Sequence, residues 1–416
     1  MKRDLYALAL IAAVAGALEM GSAVIDQRAA AHAATVMAPR FEVDLTWPKP
    51  LPNHWILGQS IGVSADSQDH IWMIHRPGSL EAGEQHATTN PPIAQCCVPA
   101  PPVLEFDQAG NLIGHWGGPG LGYDWPISNH GITVDSEGNV WIGGNGRGPT
   151  SGRGAQNGQD EESGGVASFH DNMILKFTHE GKFLMQIGKP NSSKGSNDTA
   201  NLRLAAKIFV DEKRHEIYVA DGYGNHRVIV FDSETGQYKR HWGAYGHKPS
   251  DENLGPYKPD APPAQQFRNP VHCAMLSHDD LLYVCDRAND RIQVFKPDGT
   301  FVKEAFIERQ TLGSGSVWDI AFSADPQQKY LYVADGENDR IHIVDRNSLE
   351  VLTTFGEGGR QPGEFYGVHS IATDSKGNLY ETETYHGQRI QRFVFKGLSP
   401  VTKKDQGVLW PKASGK

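Results

Sequence analysis

Histidine recurs in this chain at one place in a repeated pattern. Six short apolar segments each end on an acidic or polar residue: Asp66, Asp135, Asp211, Ser277, Ser323 and Asp374. Five residues earlier stand Ile61, His130, Ala206, His272, Trp318 and His369, so histidine alternates with an apolar residue. Three imidazoles brought to one point suit zinc, which in catalytic sites takes three protein ligands and keeps a fourth position open. A lone histidine in such a slot is better explained by packing against a turn. Three in one register make independent placement a poor explanation, and the other 15 of the 18 histidines show no such register.

A second slot lies just after the second strand of a unit. It holds Arg76 in the first unit, Tyr223 in the third and Arg287 in the fourth. A hairpin puts the end of its second strand beside the start of its first, hence near the level of the histidines. A tyrosine close to a metal and two cations could act as a general base. The two guanidinium groups could grip a carboxylate in bidentate fashion. Without the histidines, all three would read as rim residues making ordinary surface contacts.

These residues need a frame that repeats. YVADGYGNHRVIVFD at 218–232, YVCDRANDRIQVFK at 283–296 and YVADGENDRIHIVD at 332–345 share one plan. Each is a β-branched or aromatic run, an Asp, a short turn, and a second alternating run, which is a strand–turn–strand signal. With one strand upstream and one downstream, a unit has four antiparallel strands. Six units follow one another with no long helical pattern between them. The pattern predicts an all-β, six-bladed β-propeller over residues 41–397, with the six innermost strands lining a central channel. The last unit shows only three clear strands. The alternating segment Phe41–Trp47 is expected to supply the fourth and close the ring, the C-terminal tail (398–416) being the weaker candidate. Asp221, Asp286 and Asp335 recur in every good repeat and read as turn architecture, bonding backbone N–H groups or the following Arg.

Composition agrees with a turn-rich globular body. The 416 residues include 46 Gly and 25 Pro, with 38% hydrophobic and 21% charged residues. The formal net charge of −10 repels phosphate backbones and argues against a nucleic-acid partner. Lys2 and Arg3 precede an apolar stretch from Leu5 to Leu18, and Ala31-His32-Ala33 resembles a cleavage site. Residues 1–33 therefore read as a secretory signal, with an uncleaved anchor as the alternative. No later apolar run is long enough to span a bilayer, so the mature chain is expected to be secreted or periplasmic. Four cysteines, an even number, suit an oxidising compartment. Cys96 and Cys97 could form a vicinal disulfide or pair elsewhere. Cys273 and Cys285 could form a cross-strand disulfide or remain two buried thiols. The Gly-rich segment Gly143–Gly165 lacks the ending of a phosphate loop and reads as a loop over the channel mouth.

The pieces GQSIGVSAD at 58–66, HRPG at 75–78, NHGITVD at 129–135, DGYGNHR at 221–227, DRANDRIQVF at 286–295 and VHSIATD at 368–374 occur in a familiar order. Together they resemble the peptidylglycine α-amidating lyase family, six-bladed propellers of the NHL-repeat type. The resemblance runs from about residue 58 to 396. It implies a lyase that splits a peptidyl-α-hydroxyglycine into a peptide amide and glyoxylate. It implies zinc on His130, His272 and His369, with Tyr223 as catalytic base. Arg76 and Arg287 would engage the carboxylate and developing charge of a small-molecule or peptide substrate.

Three departures stand against that pattern. Gly224 follows the tyrosine where animal members carry a disulfide-bonded Cys. Ser370 follows the third histidine where the family's structural calcium uses an Asp, which argues against Ca2+, although main-chain carbonyls near Gly62 and Ile132 could contribute. No hydroxylating partner domain is apparent. The alternative reading is a non-catalytic NHL propeller that binds a protein or ligand on its channel face. A calcium-dependent lactonase-like propeller would want carboxylates where this chain has histidines.

Overall fold

A computed structural model describes residues 36–149 and 168–411. The signal reading of residues 1–33 and most of the Gly143–Gly165 segment fall outside these. The described chain forms a six-bladed β-propeller whose blades are four-stranded antiparallel sheets. The innermost strands are Gln59–Ala65, Asn129–Val134, Lys207–Asp211, Val271–Leu276, Asp319–Phe322 and Val368–Thr373, in blades one to six.

The pattern of side chains dictates which strand goes where. Second strands such as Glu216–Asp221 and Tyr330–Asp335 are buried along their whole length, as sheets packed on both faces require. Outer strands such as Leu112–Trp116 alternate exposed and half-buried residues. No blade can bury its own apolar faces, so each packs on the next. Six apolar clusters result, one at each blade interface.

The ring closes in the last blade, where Met37–Val43 pairs antiparallel with Ile390–Pro400. This latch lies four residues earlier than the expected Phe41–Trp47. Asp44 Oδ1 accepts the Thr46 N–H at 2.8 Å and the Thr46 hydroxyl at 2.9 Å, turning the chain out of the sheet after Val43. Phe41 anchors the closure against Tyr332 and Phe355, with ring centroids 5.4 Å away in both cases. The described tail adds no strand of its own: its first residues, Leu398 to Pro400, extend the last strand along Met37–Pro39, and it then lies beside the latch through Leu409 N–H to Phe41 O and Val43 N–H to Leu409 O.

Turn chemistry sets the height of each blade on the axis. Asp66, Asp135 and Asp374 each cap the turn after an innermost strand, accepting backbone N–H groups two and four residues ahead. The recurring acids between second and third strands are structural too. Asp221 pairs with Arg227 at 2.9 Å and Asp286 with Arg291 at 2.6 Å, all four groups fully buried. In blade five the partner of Asp335 is His342 at 2.9 Å rather than Arg340. Both cysteine pairs are bonded: Cys96 with Cys97, and Cys273 with Cys285 across paired strands.

Candidate active site

The three slot histidines converge on the axis from alternate blades. His130, His272 and His369 are buried, and their ring centroids stand 5.0, 4.8 and 4.9 Å apart. One ring nitrogen from each lies within 4.8 Å of the others. A β-bulge accompanies every histidine. The ladder skips His272 and His369 themselves, and skips Gly131 beside His130. A bulge turns a side chain out of the pleat, and here it turns three toward one point. Gly131 has a φ of 69°, and a Cβ there would sit 2.3 Å from the Ala206 carbonyl oxygen, so no other residue fits without displacement.

The apolar slots have a role that side-chain chemistry conceals. His130 Nδ1 lies 2.7 Å from Ala206 O, His369 Nδ1 lies 2.9 Å from Ile61 O, and His272 Nδ1 contacts Trp318 O. Ala206, Ile61 and Trp318 are the residues that alternate with the histidines. A carbonyl only accepts, so each Nδ1 carries the proton and each Nε2 presents a lone pair. Burial pushes all three imidazoles well below their ordinary pKa, and the charges of Arg76 and Arg287 push His130 and His369 further the same way. The donor set is three neutral, oriented nitrogens with no carboxylate, and it fits a zinc-type ion.

Tyr223 stands over the cage. Its hydroxyl lies 3.0 Å from His130 Nε2, 3.0 Å from His272 Nε2 and 3.1 Å from Arg287 Nη1, which donates to it. A phenol has one proton, so it satisfies at most one of the two imidazole lone pairs at a time. The surplus of acceptors is a second reason that a cation suits the point. Arg287 is fixed by Ser314 O at 2.9 Å and lies over the Trp318 ring at 4.1 Å. Arg76 donates to Asn129 O at 3.0 Å, Gln59 Oε1 at 2.9 Å and Asn145 Oδ1 at 2.9 Å. All six residues singled out in the sequence thus meet at one end of the channel. A cavity of 490 Å³ opens above them, lined among others by Arg76, Tyr223, Arg287, Trp318, His369 and Tyr385. Gln59 follows no repeat register, but Asn145, directly after Val140–Gly144, and Tyr385, two residues past Glu383 as Tyr223 is past Asp221, stand in the second slot and were passed over there.

Calcium does not fit the channel. The carboxylate that faces Ser370 is Asp319, whose Oδ2 accepts Ser370 Oγ at 2.8 Å and Ile371 N–H at 3.0 Å. The same oxygen is already paired with Lys207 Nζ at 2.5 Å, both side chains being buried. Calcium takes six to eight oxygens, carboxylates prominent among them, whereas here an ammonium of the chain itself meets the charge. Two outcomes follow. A calcium chelator will leave the wild-type unfolding midpoint unmoved, as scanning calorimetry would record. Lys207→Met, by stranding the buried Asp319 charge, will cost about 3–5 kcal/mol in urea unfolding.

A second group of donors, Asp66, His70 and Glu105, lies within blade one, beside the turn after its innermost strand. Its members are already joined, with His70 Nδ1 2.8 Å from Glu105 Oε1, and Glu105 Oε2 3.1 Å from His179 Nε2.

No family model matches the chain. The peptidylglycine α-amidating monooxygenase of Rattus norvegicus is 24% identical over 365 residues, covering 85% of this chain and 32% of that protein. The peptidyl-α-hydroxyglycine α-amidating lyase 1 of Drosophila melanogaster is 23% identical over 300 residues, 67% of this chain and 47% of that one. A probable lyase of the same name from Caenorhabditis elegans is 22% identical over 340 residues, 79% of this chain and 80% of that one. The chain is a sequence relative of proteins named as amidating lyases. It spans about a third of the length of the rat protein and most of the nematode lyase. Among solved structures, virginiamycin B lyase from Staphylococcus aureus matches with a TM-score of 0.44 at 15% identity, covering 89% of this chain and 94% of that one. Among the described residues of this amidating-lyase relative, no helix is long and apolar enough to cross a membrane.

Proposed function

We propose that this protein is an exported, zinc-dependent carbon–nitrogen lyase. Its substrate is a peptidyl-α-hydroxyglycine or a related α-hydroxy amide, and its products are an amide and glyoxylate. One observation carries the reading: the Tyr223 hydroxyl lies within 3.1 Å of two cage histidines and of Arg287. A proton acceptor, a candidate metal cage and a cation therefore share a single point.

His130, His272 and His369 would hold the zinc, which when bound supplies Lewis acidity toward the substrate's α-hydroxyl oxygen. The rest of the chemistry belongs to the chain. Arg76 has five N–H groups and uses three on fixed oxygens, so two remain to hold the substrate carboxylate. Arg287 donates to the Tyr223 oxygen and holds it beside the cage. Tyr223 Oη takes the proton of the α-hydroxyl, the C–O bond becomes a carbonyl, and the C–N bond breaks. The same proton then passes from Tyr223 to the departing amide nitrogen, so the reaction balances without water. Trp318 and Tyr385 line the cavity beside them.

Export is supported by the two disulfides and by the signal-like composition of residues 1–33. The test is metal dependence. Chelated protein will release no glyoxylate from N-benzoyl-α-hydroxyglycine, and one equivalent of zinc will restore release. A protein that binds zinc yet stays inactive across that titration is the non-catalytic propeller instead.

A further inference from the structure

The cavity carries more positive charge than one carboxylate requires. Among the described residues, three guanidinium groups line it, Arg76, Arg147 and Arg287, against one acidic residue, Glu81, which is exposed. The partners of Arg76 and Arg287 are neutral: the Asn129 carbonyl, two amide oxygens, the Ser314 carbonyl and the Tyr223 hydroxyl. The acid nearest in charge to Arg76, Asp171, is fully buried and spends its oxygens on the N–H groups of Ile127, Ser128 and Gly146. It is unavailable to the cavity.

Arg147 differs from the other two. It opens the short ribbon in which Arg147–Pro149 pairs with Ser168–His170. Its Nε is buried and has no hydrogen-bond partner. A buried donor left without a partner is destabilising, the more so on a charged group. Asn145, two residues before it, lines the same cavity and holds Arg76. Burial, and then the neighbouring charge of Arg203, push Arg147 below its ordinary value, and among the described residues no carboxylate is paired with it. Across the ribbon His170 offers no anion, because burial and the charges of Arg203 and Arg147 keep it toward neutral. A side chain in this state is set up for an anion that arrives from outside.

We propose that Arg147 is a specificity-determining residue that receives a second anionic group on the substrate. On the lyase reading, from which this follows, the preferred substrate is an N-acyl-α-hydroxyglycine whose acyl part itself ends in a carboxylate. The α-carboxylate goes to Arg76 and Arg287, and the acyl carboxylate to Arg147. Neutral acyl chains leave the third guanidinium without a partner.

Binding of unreactive analogues tests this apart from catalysis. N-Succinylglycine and N-butyrylglycine lack the α-hydroxyl and differ by one terminal carboxylate. By isothermal titration to zinc-loaded protein, the succinyl compound will bind about tenfold tighter, the worth of one charge-assisted contact. Arg147→Gln will erase that difference while leaving butyryl binding unchanged, which also shows that the variant is folded. Arg147→Lys will keep most of the preference. Equal binding of the two analogues by the wild type overturns the proposal, as does an Arg147→Gln variant that weakens both equally. Turnover gives the second arm, with succinyl-α-hydroxyglycine favoured over butyryl-α-hydroxyglycine in kcat/KM by a similar factor. Absence of glyoxylate from both would sink the lyase reading, and the analogue titration would still decide the role of Arg147.

Discussion

Replacing His130, His272 or His369 with alanine is expected to empty the axis of metal and to abolish turnover. Each histidine contributes one of three oriented nitrogens, and a two-nitrogen remnant is expected to hold the ion far more weakly. Its Nδ1 proton is held by a carbonyl of the next blade, so the lone pair has no freedom to be replaced by a neighbour's. Loss of a Lewis acid removes several kcal/mol of transition-state stabilisation, roughly a thousandfold or more in rate. Elemental analysis should find one zinc per wild-type chain and none in the variants. The propeller should survive, since each substitution strands one carbonyl, at about 1–3 kcal/mol, in a ring held by six apolar interfaces. Variants that keep their metal and their rate would remove the cage from the account.

Tyr223→Phe separates the base from the cage. The aromatic ring packs edge-on against His130 at 4.9 Å and His272 at 5.6 Å, and phenylalanine preserves both contacts. Metal content should therefore stay at the wild-type value. What disappears is the oxygen proposed to take and return the proton. General acid–base groups contribute roughly 10²–10⁴-fold, and this one serves both directions, so kcat should fall toward the upper end of that range. KM should change little, because the carboxylate contacts are made by arginines. A variant with normal zinc and a kcat within a few-fold of wild type would mean that the proton travels by another route.

Much of this arrangement could be read from one chain, and the limits have physical causes. The blades were legible because each hairpin repeats a local grammar of β-branched runs and Asp-containing turns. The cage was legible because equal distance from a capped turn, as at Asp135 and Asp374, means equal height on the axis. What escaped were pairings between blades. The carbonyls of Ile61, Ala206 and Trp318 orient the imidazoles, yet a backbone acceptor leaves no mark in residue type. The bulges at His272 and His369 are likewise silent in composition. Lys207 and Asp319 sit on different blades, each directly after a slot residue as Ser370 is, so their equal height was readable in the repeat but their pairing across the channel was not. The latch was misplaced by four residues because Asp44 and Thr46 end the strand through side-chain bonds that compete with the ladder.

The charge pattern also acquires a location. A net charge of −10 belongs to the whole chain, while three arginines gather around one cavity. On the proposed reading, such a pocket suits a small carboxylate whatever the sign of the whole chain's charge.

Glyoxylate alone does not identify the bond that breaks, because hydrolysis of the amide would free α-hydroxyglycine, which itself decays to glyoxylate and ammonia. The decisive measurement is the identity of the other product when zinc-loaded protein consumes N-benzoyl-α-hydroxyglycine, followed by chromatography against standards. Carbon–nitrogen cleavage at the α-carbon, with Tyr223 returning its proton to nitrogen, predicts benzamide and glyoxylate in equal amounts and no free ammonia. Benzoate with ammonia, or no consumption by protein carrying its full zinc, would contradict it.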